Sequence, residues 1–226
     1  MTIFSQNRDL KKTGIYGWTL PAHFVVLTNG EKFNTCPNAG VCGALCYAKN
    51  GTYKFKNVMK SHIEKLEWVL YRTDSWMAAV MEELSLKKYV GKFIRIHDGG
   101  DFFSQWYAER WLTIAAANPQ CTFYTYTKEV VLFKETLKDL IPSNFIVIYS
   151  FGGKQDKYID REVDRHSDVF TDYDKMIELG YFDIEEDDKL AAIGPRKVGL
   201  FRNNIKHFIK KQGDRSFGEW SLKTKI

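Results

Sequence analysis

Proline and cysteine are both scarce in this chain, with five prolines and four cysteines among 226 residues. The low proline content, set beside 15% aromatic residues, excludes a disordered or low-complexity chain. No apolar run approaches the roughly 20 residues that a membrane-spanning helix needs, so no membrane partner is expected. The opening M-T-I-F-S-Q-N-R-D-L-K-K lacks the apolar stretch of a secretory signal. A cytoplasmic, reducing location is therefore expected, where clustered cysteines bind metal or do redox work more often than they form disulfides. Linkers rich in Gly, Pro or Ser are missing too, and a 44% hydrophobic content suits one α/β domain spanning residues 1–226.

Charge is present in excess of one sign only locally. The formal net charge of +5 hides thirteen acidic against four basic side chains between Asp156 and Asp188, and nine basic against two acidic from Arg196 to Ile226. Such runs usually mark solvated surface. The stretch of about 189–226 is read as a basic C-terminal extension packed on the domain. Its interleaved Phe201, Phe208, Phe217 and Trp220 would suit stacking on bases, but at this spacing aromatics are more often helix core, so nucleic acid is the least favoured partner.

Hydrophobic periodicity alternates between strand-like and helix-like stretches. Strands are expected at His23–Asn29, Phe93–His97, Thr122–Thr127 and Phe145–Ser150, with weaker ones at Asp168–Thr171 and Lys189–Ile193. Helices are expected at about Phe55–Arg72, Ser75–Tyr89, from Ser104 to the Asn118-Pro119 stop, at Val130–Leu140, Tyr173–Leu179 and Leu200–Lys211. Repeated strand–helix units imply a mostly parallel sheet with outer helices, five or six units long, which is a partial (βα)6 TIM-like barrel.

Ligands of parallel α/β folds gather where strands end. The residues placed there are Cys36, Cys42 and Cys46 in T-C-P-N-A-G-V-C-G-A-L-C-Y-A-K, then His97, Asp98, Gly99, Gly100 and Asp101, then Thr127 and Lys128, then Ser150. Glycines 99 and 100 suit a backbone that approaches a ligand closely. Asp98 and Asp101 can accept hydrogen bonds, His97 can carry a proton or act as a fourth ligand, and Lys128 can neutralise a carboxylate or phosphate. Cys121, at the opposite end of its strand, is read as a buried hydrophobe. Three thiolates without a second cysteine pair favour a [4Fe–4S] cluster with an open iron over zinc.

These motifs resemble two groups. A three-cysteine loop followed by a G-G-D turn after F-I-R-I-H is similar to the radical S-adenosylmethionine (SAM) superfamily, although C-x5-C-x3-C replaces the usual C-x3-C-x2-C. The set T-C-P…C…C-Y-A, R-I-H-D-G-G-D-F-F-S, W-Y-A-E-R-W-L-T-I-A-A-A-N-P and F-Y-T-Y-T-K, over about residues 30–155, resembles the bacteriophage gene product eighty-eight family. The resemblance implies a host-cytoplasmic protein with a cluster on Cys36, Cys42 and Cys46, SAM near Gly99, Gly100 and Asp101, and a radical SAM-like oxidoreductase or lyase reaction served by an electron donor. Two other readings compete. One is an iron–sulfur protein without SAM that transfers electrons or activates a small ligand at the open iron. The other is a metal-stapled nucleic-acid-binding module.

Overall fold

The computed structural model describes residues 2–201 and 205–223. A short helix, α1 (Arg8–Thr13), opens the fold, with the Asn7 side chain accepting from the amides of Asp9 and Leu10. Gly14, at φ 71°, ends it and turns the chain into β1 (Ile15–Trp18). A hairpin of β2 (Phe24–Val26) and β3 (Lys32–Asn34) comes next, then the cysteine loop with its single turn α2 (Val41–Ala44). Two long helices, α3 (Lys56–Tyr71) and α4 (Thr73–Leu84), lead to β4 (Phe93–Ile96). The chain continues through α5 (Gln105–Ala116), β5 (Thr122–Thr127), β6 (Phe145–Ser150) and β7 (His166–Phe170). It finishes with α6 (Tyr173–Glu178), β8 (Phe182–Asp183), α7 (Leu190–Ile193), β9 (Lys197–Phe201), α8 (Lys206–Gln212) and α9 (Phe217–Lys223).

Seven strands form one sheet in the order β1-β4-β5-β6-β7-β9-β8, and every neighbouring pair is parallel. The sheet curls into a half-barrel flanked by helices, as the repeated strand–helix pattern predicts. Period-2 alternation divides its side chains. Trp18, Ile94, Ile96, Phe123 and Phe145 face outward into a core shared with Leu66, Val69, Trp76, Val80, Tyr107 and Trp111 of α3, α4 and α5. Ile15, Tyr124, Ile148 and Val198 face inward, against Leu10 of α1 and against Ile184, Ala191 and Ala192. The indole of Trp18 ties the outer core together by donating to the Tyr107 hydroxyl at 3.0 Å.

Several expected elements change. The run read as the first strand, His23–Asn29, contributes only β2 to a separate antiparallel hairpin, while the sheet begins at the four-residue β1. The I-Y-G-W of β1 is too short, and too broken by Gly17, to stand out as a strand. Val130–Leu140 is not one helix but a π-turn at Leu132–Thr136 and a 3-10 turn at Lys138–Leu140. The Gln155 side chain accepts from the Val131 amide where that helix would start. Lys189–Ile193 yields the one-turn α7, for which the L-A-A-I helix formers account. Within the expected basic stretch β9 joins the sheet, and residues 202–204 and 224–226 lie outside the described residues.

Asp168 of β7 fixes α9. Its carboxylate is 1% exposed and accepts from Ser216 Oγ at 2.8 Å and from the Gly218 amide at 3.0 Å. Phe217 between them packs on Gly152, where a Cβ would come within 2.7 Å of the ring at a φ of 99°. Replacing Asp168 with alanine strands two buried donors, so Asp168→Ala is expected to lose about 2–4 kcal/mol in urea unfolding. Native-state hydrogen exchange should show the first turn of α9 opening. An unchanged midpoint would contradict the tether.

Candidate functional site

The cysteine loop lies across the end of β6. Amides of Gly40 and Cys42 both donate to the Gly152 carbonyl, at 3.1 and 3.0 Å, and the Lys154 amide donates to Asn38 O at 2.9 Å. Lys154 Nζ adds a bond to Pro37 O at 2.8 Å. These contacts press the loop so closely on the 150–154 turn that a Cβ on Gly40 would sit 3.0 Å from Gly152 O.

Beneath the loop, buried polar side chains from three strand ends meet. Asp101, 4% exposed, accepts from Thr127 Oγ1 at 2.7 Å and from the amides of Phe102 at 2.8 Å and Lys128 at 2.9 Å. Burial raises its pKa, while those three bonds and the Lys128 charge oppose the rise. Thr127 Oγ1 in turn accepts from the Glu129 amide at 3.0 Å. Lys128 sends its ammonium to Ser150 Oγ at 2.6 Å. Glu129 accepts from Asn38 Nδ2 at 2.6 Å through one oxygen, and its other oxygen, Oε1, is buried without a partner. Burial, and then the Asp101 charge, push the Glu129 carboxyl up to about 7.

His97, Asp98 and the glycine pair have other duties. His97 is buried in the left-handed region at φ 68° and bonds Tyr107 through Nε2 at 2.9 Å, while Nδ1 has no partner. Burial drives its pKa down to about 3, so the ring is neutral. Asp98 accepts from the hydroxyls of Tyr47 and Tyr53 and pairs with Arg95 at 3.2 Å. Gly99 and Gly100 pack on the chain itself: a Cβ at Gly100, where φ is 82°, would meet Leu20 Cβ at 2.8 Å. Among the expected site residues, Asp101, Thr127, Lys128 and Ser150 are thus brought together, whereas His97 and Asp98 each serve a different set of neighbours.

A metal centre on the cysteines is corrected by this geometry. Among the described residues no group of three or more His, Cys, Asp or Glu side chains is placed to hold a metal ion. Burial, with Asp101 nearby, pushes the Cys36 thiol up to about 12, and burial with Cys42 nearby pushes Cys46 to about 11. The [4Fe–4S] readings, with SAM or without it, and the metal-stapled module all presupposed such a centre. Cys121, 1% exposed, donates to Tyr89 O at 3.3 Å.

Several participants escaped the sequence. Glu129 sits one residue past F-Y-T-Y-T-K, and Asn38 lies inside the cysteine run, where the thiols drew the attention; neither carries a spacing signal. Arg95, Tyr124 and Tyr126 were legible in principle, since an arginine inside F-I-R-I and two tyrosines at period 2 in T-F-Y-T-Y-T must share the sheet's inner face. A cleft of about 940 Å³ opens beside the loop, bounded by Val41 and Leu45, by Phe151 and Arg161, and by Lys211 and Trp220.

Comparison with known proteins supplies kinship rather than chemistry. The gene 88 protein of Mycobacterium phage L5 is 33% identical over 119 residues, a match covering 47% of this chain and 48% of the phage protein. The match therefore spans about half the length of that curated relative. No solved structure matches the chain. Nothing in the comparisons supports the radical SAM half of the resemblance, and no helix among the described residues is long and apolar enough to cross a membrane. A family model, Gene product 88, matches residues 1–221, and the chain belongs to that family.

Proposed function

We propose that the strand ends under the cysteine loop bind a small anionic molecule, a carboxylate or a phosphate monoester, with Lys128 as its counter-charge. One observation carries this reading. Lys128 is 9% exposed as a residue, and its ammonium hydrogen-bonds Ser150 and has no carboxylate within ion-pairing distance among the described residues. An ammonium has three donors, and a buried one without an anion is costly. A bound anion would fill the remaining donors, and Ser150 can donate its hydroxyl to the same ligand.

The surrounding carboxyls divide the work. Asp101 is held by three hydrogen bonds and positions the Thr127–Lys128 backbone. Glu129, with one orphaned oxygen and its carboxyl pushed up to about 7, is protonated in part at neutral pH, which weakens its competition with the ligand for Lys128. The neutral thiols of Cys36 and Cys46 furnish a soft, weakly polar roof rather than a nucleophile.

Titration calorimetry with inorganic phosphate and with malonate is the direct test. Wild-type protein is expected to bind at least one of the two probes saturably, and Lys128→Met to bind it about tenfold or more weakly, since a charge-assisted contact is worth about 1.5–3 kcal/mol. Equal binding by the two proteins, or none by wild type, would sink the proposal.

The protonation state of Glu129 has its own signature. A carboxyl whose folded-state pKa is raised stabilises the fold below its unfolded pKa of about 4.5, and that contribution is lost as pH rises through about 7. Glu129→Gln, fixed in the neutral form, is expected to gain on wild type by on the order of 3 kcal/mol between pH 5 and pH 8 in urea unfolding. A pH-independent difference would show that Glu129 is ionised throughout.

A further inference from the structure

Inside the half-barrel the chain binds one of its own carboxylates. Asp188, in the stretch between β8 and α7, points into the sheet: Oδ2 lies 3.1 Å from Arg95 Nη1 and 2.6 Å from the Tyr124 hydroxyl, and Oδ1 lies 2.6 Å from the Tyr126 hydroxyl. The three donors stand on adjacent strands, β4 and β5, so their spacing is set by the sheet. Arg95 is held further by Asp98 at 3.2 Å and by the ring of Tyr126, 5.1 Å from its guanidinium carbon. Its Nε remains buried without a partner.

The two sides of this contact differ in rigidity. Donors sit on paired strands, while the acceptor is carried by a segment with no strand partner, held by the buried Ile184 before it and, after it, by the one-turn α7 and by Arg165, which donates to the carbonyls of Ala191 and Gly194; Glu185 and Glu186 just before Asp188 are exposed. A planar guanidinium beside two phenol hydroxyls is a recognition set for a carboxylate or phosphate group, whichever molecule carries it. The packing of Tyr124, Tyr126 and Arg95 does not depend on Asp188 for its backbone geometry.

We infer that Arg95, Tyr124 and Tyr126 form an anion-binding site that Asp188 occupies as an internal stand-in, and that a ligand bearing a carboxylate or phosphate displaces Asp188 and lifts residues 184–194 off the inner face. The site is separate from Lys128 and does not rest on the reading given to it. An incoming anion must outcompete a tethered one, so occupancy depends on its having the larger affinity for the open state.

The test uses the full chain in a Lys128→Met background, so that binding at Lys128 is not counted. Inorganic phosphate is the probe. Asp188→Asn keeps the shape and removes the charge, and it is expected to tighten phosphate binding at least tenfold over the Lys128→Met parent. Adding Arg95→Gln should abolish the gain. If Asp188→Asn folds but binds phosphate no better, the contact is a structural staple and the inference is overturned. If it does not fold, hydrogen exchange on the Lys128→Met parent decides. Faster exchange across 184–194 with phosphate present supports displacement, and unchanged or slower exchange contradicts it.

Discussion

The carbonyl of Gly152 is the contact on which the architecture of the mouth depends. A buried carbonyl must be paired, and this one takes amides from both Gly40 and Cys42. The same residue presents a bare Cα to Phe217. Cysteine loop, sheet and α9 therefore meet at a single glycine, and any side chain there would collide with the ring while also forcing a φ that L-residues avoid. The loop is consequently held by its backbone, which leaves the thiols free of a structural task.

Desolvation shapes everything beneath that loop. Three acidic or basic groups, Asp101 after β4 and the consecutive Lys128 and Glu129 after β5, meet there, and all are less than a tenth exposed. Each meets the cost differently: Asp101 through three donors, Glu129 by holding its proton, Lys128 through one hydroxyl and an open position. On the inner face the same cost is met by pairing, with Arg95 between Asp98 and Asp188. Burial alone would lower the arginine's pKa, and the two carboxylates more than reverse it.

The longer elements were legible because their periods are long enough to repeat. β5 and β6 fall on the expected residues, and Ser104 caps α5 as its position suggests. The failures have local causes. β1 carries a glycine in four residues, β2 is hydrophobic yet belongs to a hairpin outside the sheet, and the π-turn depends on Gln155, far along the chain. Asp101, Thr127, Lys128 and Ser150, each picked out by its place at or after a strand end, do lie within hydrogen-bonding reach of one another. The metal reading failed because three cysteines close in sequence need not be placed as ligands in space. The glycine pair suggested a ligand cradle, whereas its missing side chains make room for Leu20. Asp188 was hidden in an acidic run whose composition gives no reason to single out one carboxylate.

Strand order also sets an order of assembly. From β1 to β7 the sheet is built almost in the sequence in which the chain is made, so each new strand finds its neighbour already present. β8 is the exception, because among the described residues its neighbour in the sheet is β9, which follows it. The segment carrying Asp188 therefore cannot be anchored from the β8 side until Val198 and Gly199 have been synthesised and paired. In a nascent chain β4 and β5, which carry Arg95, Tyr124 and Tyr126, are made before the carboxylate that pairs with them.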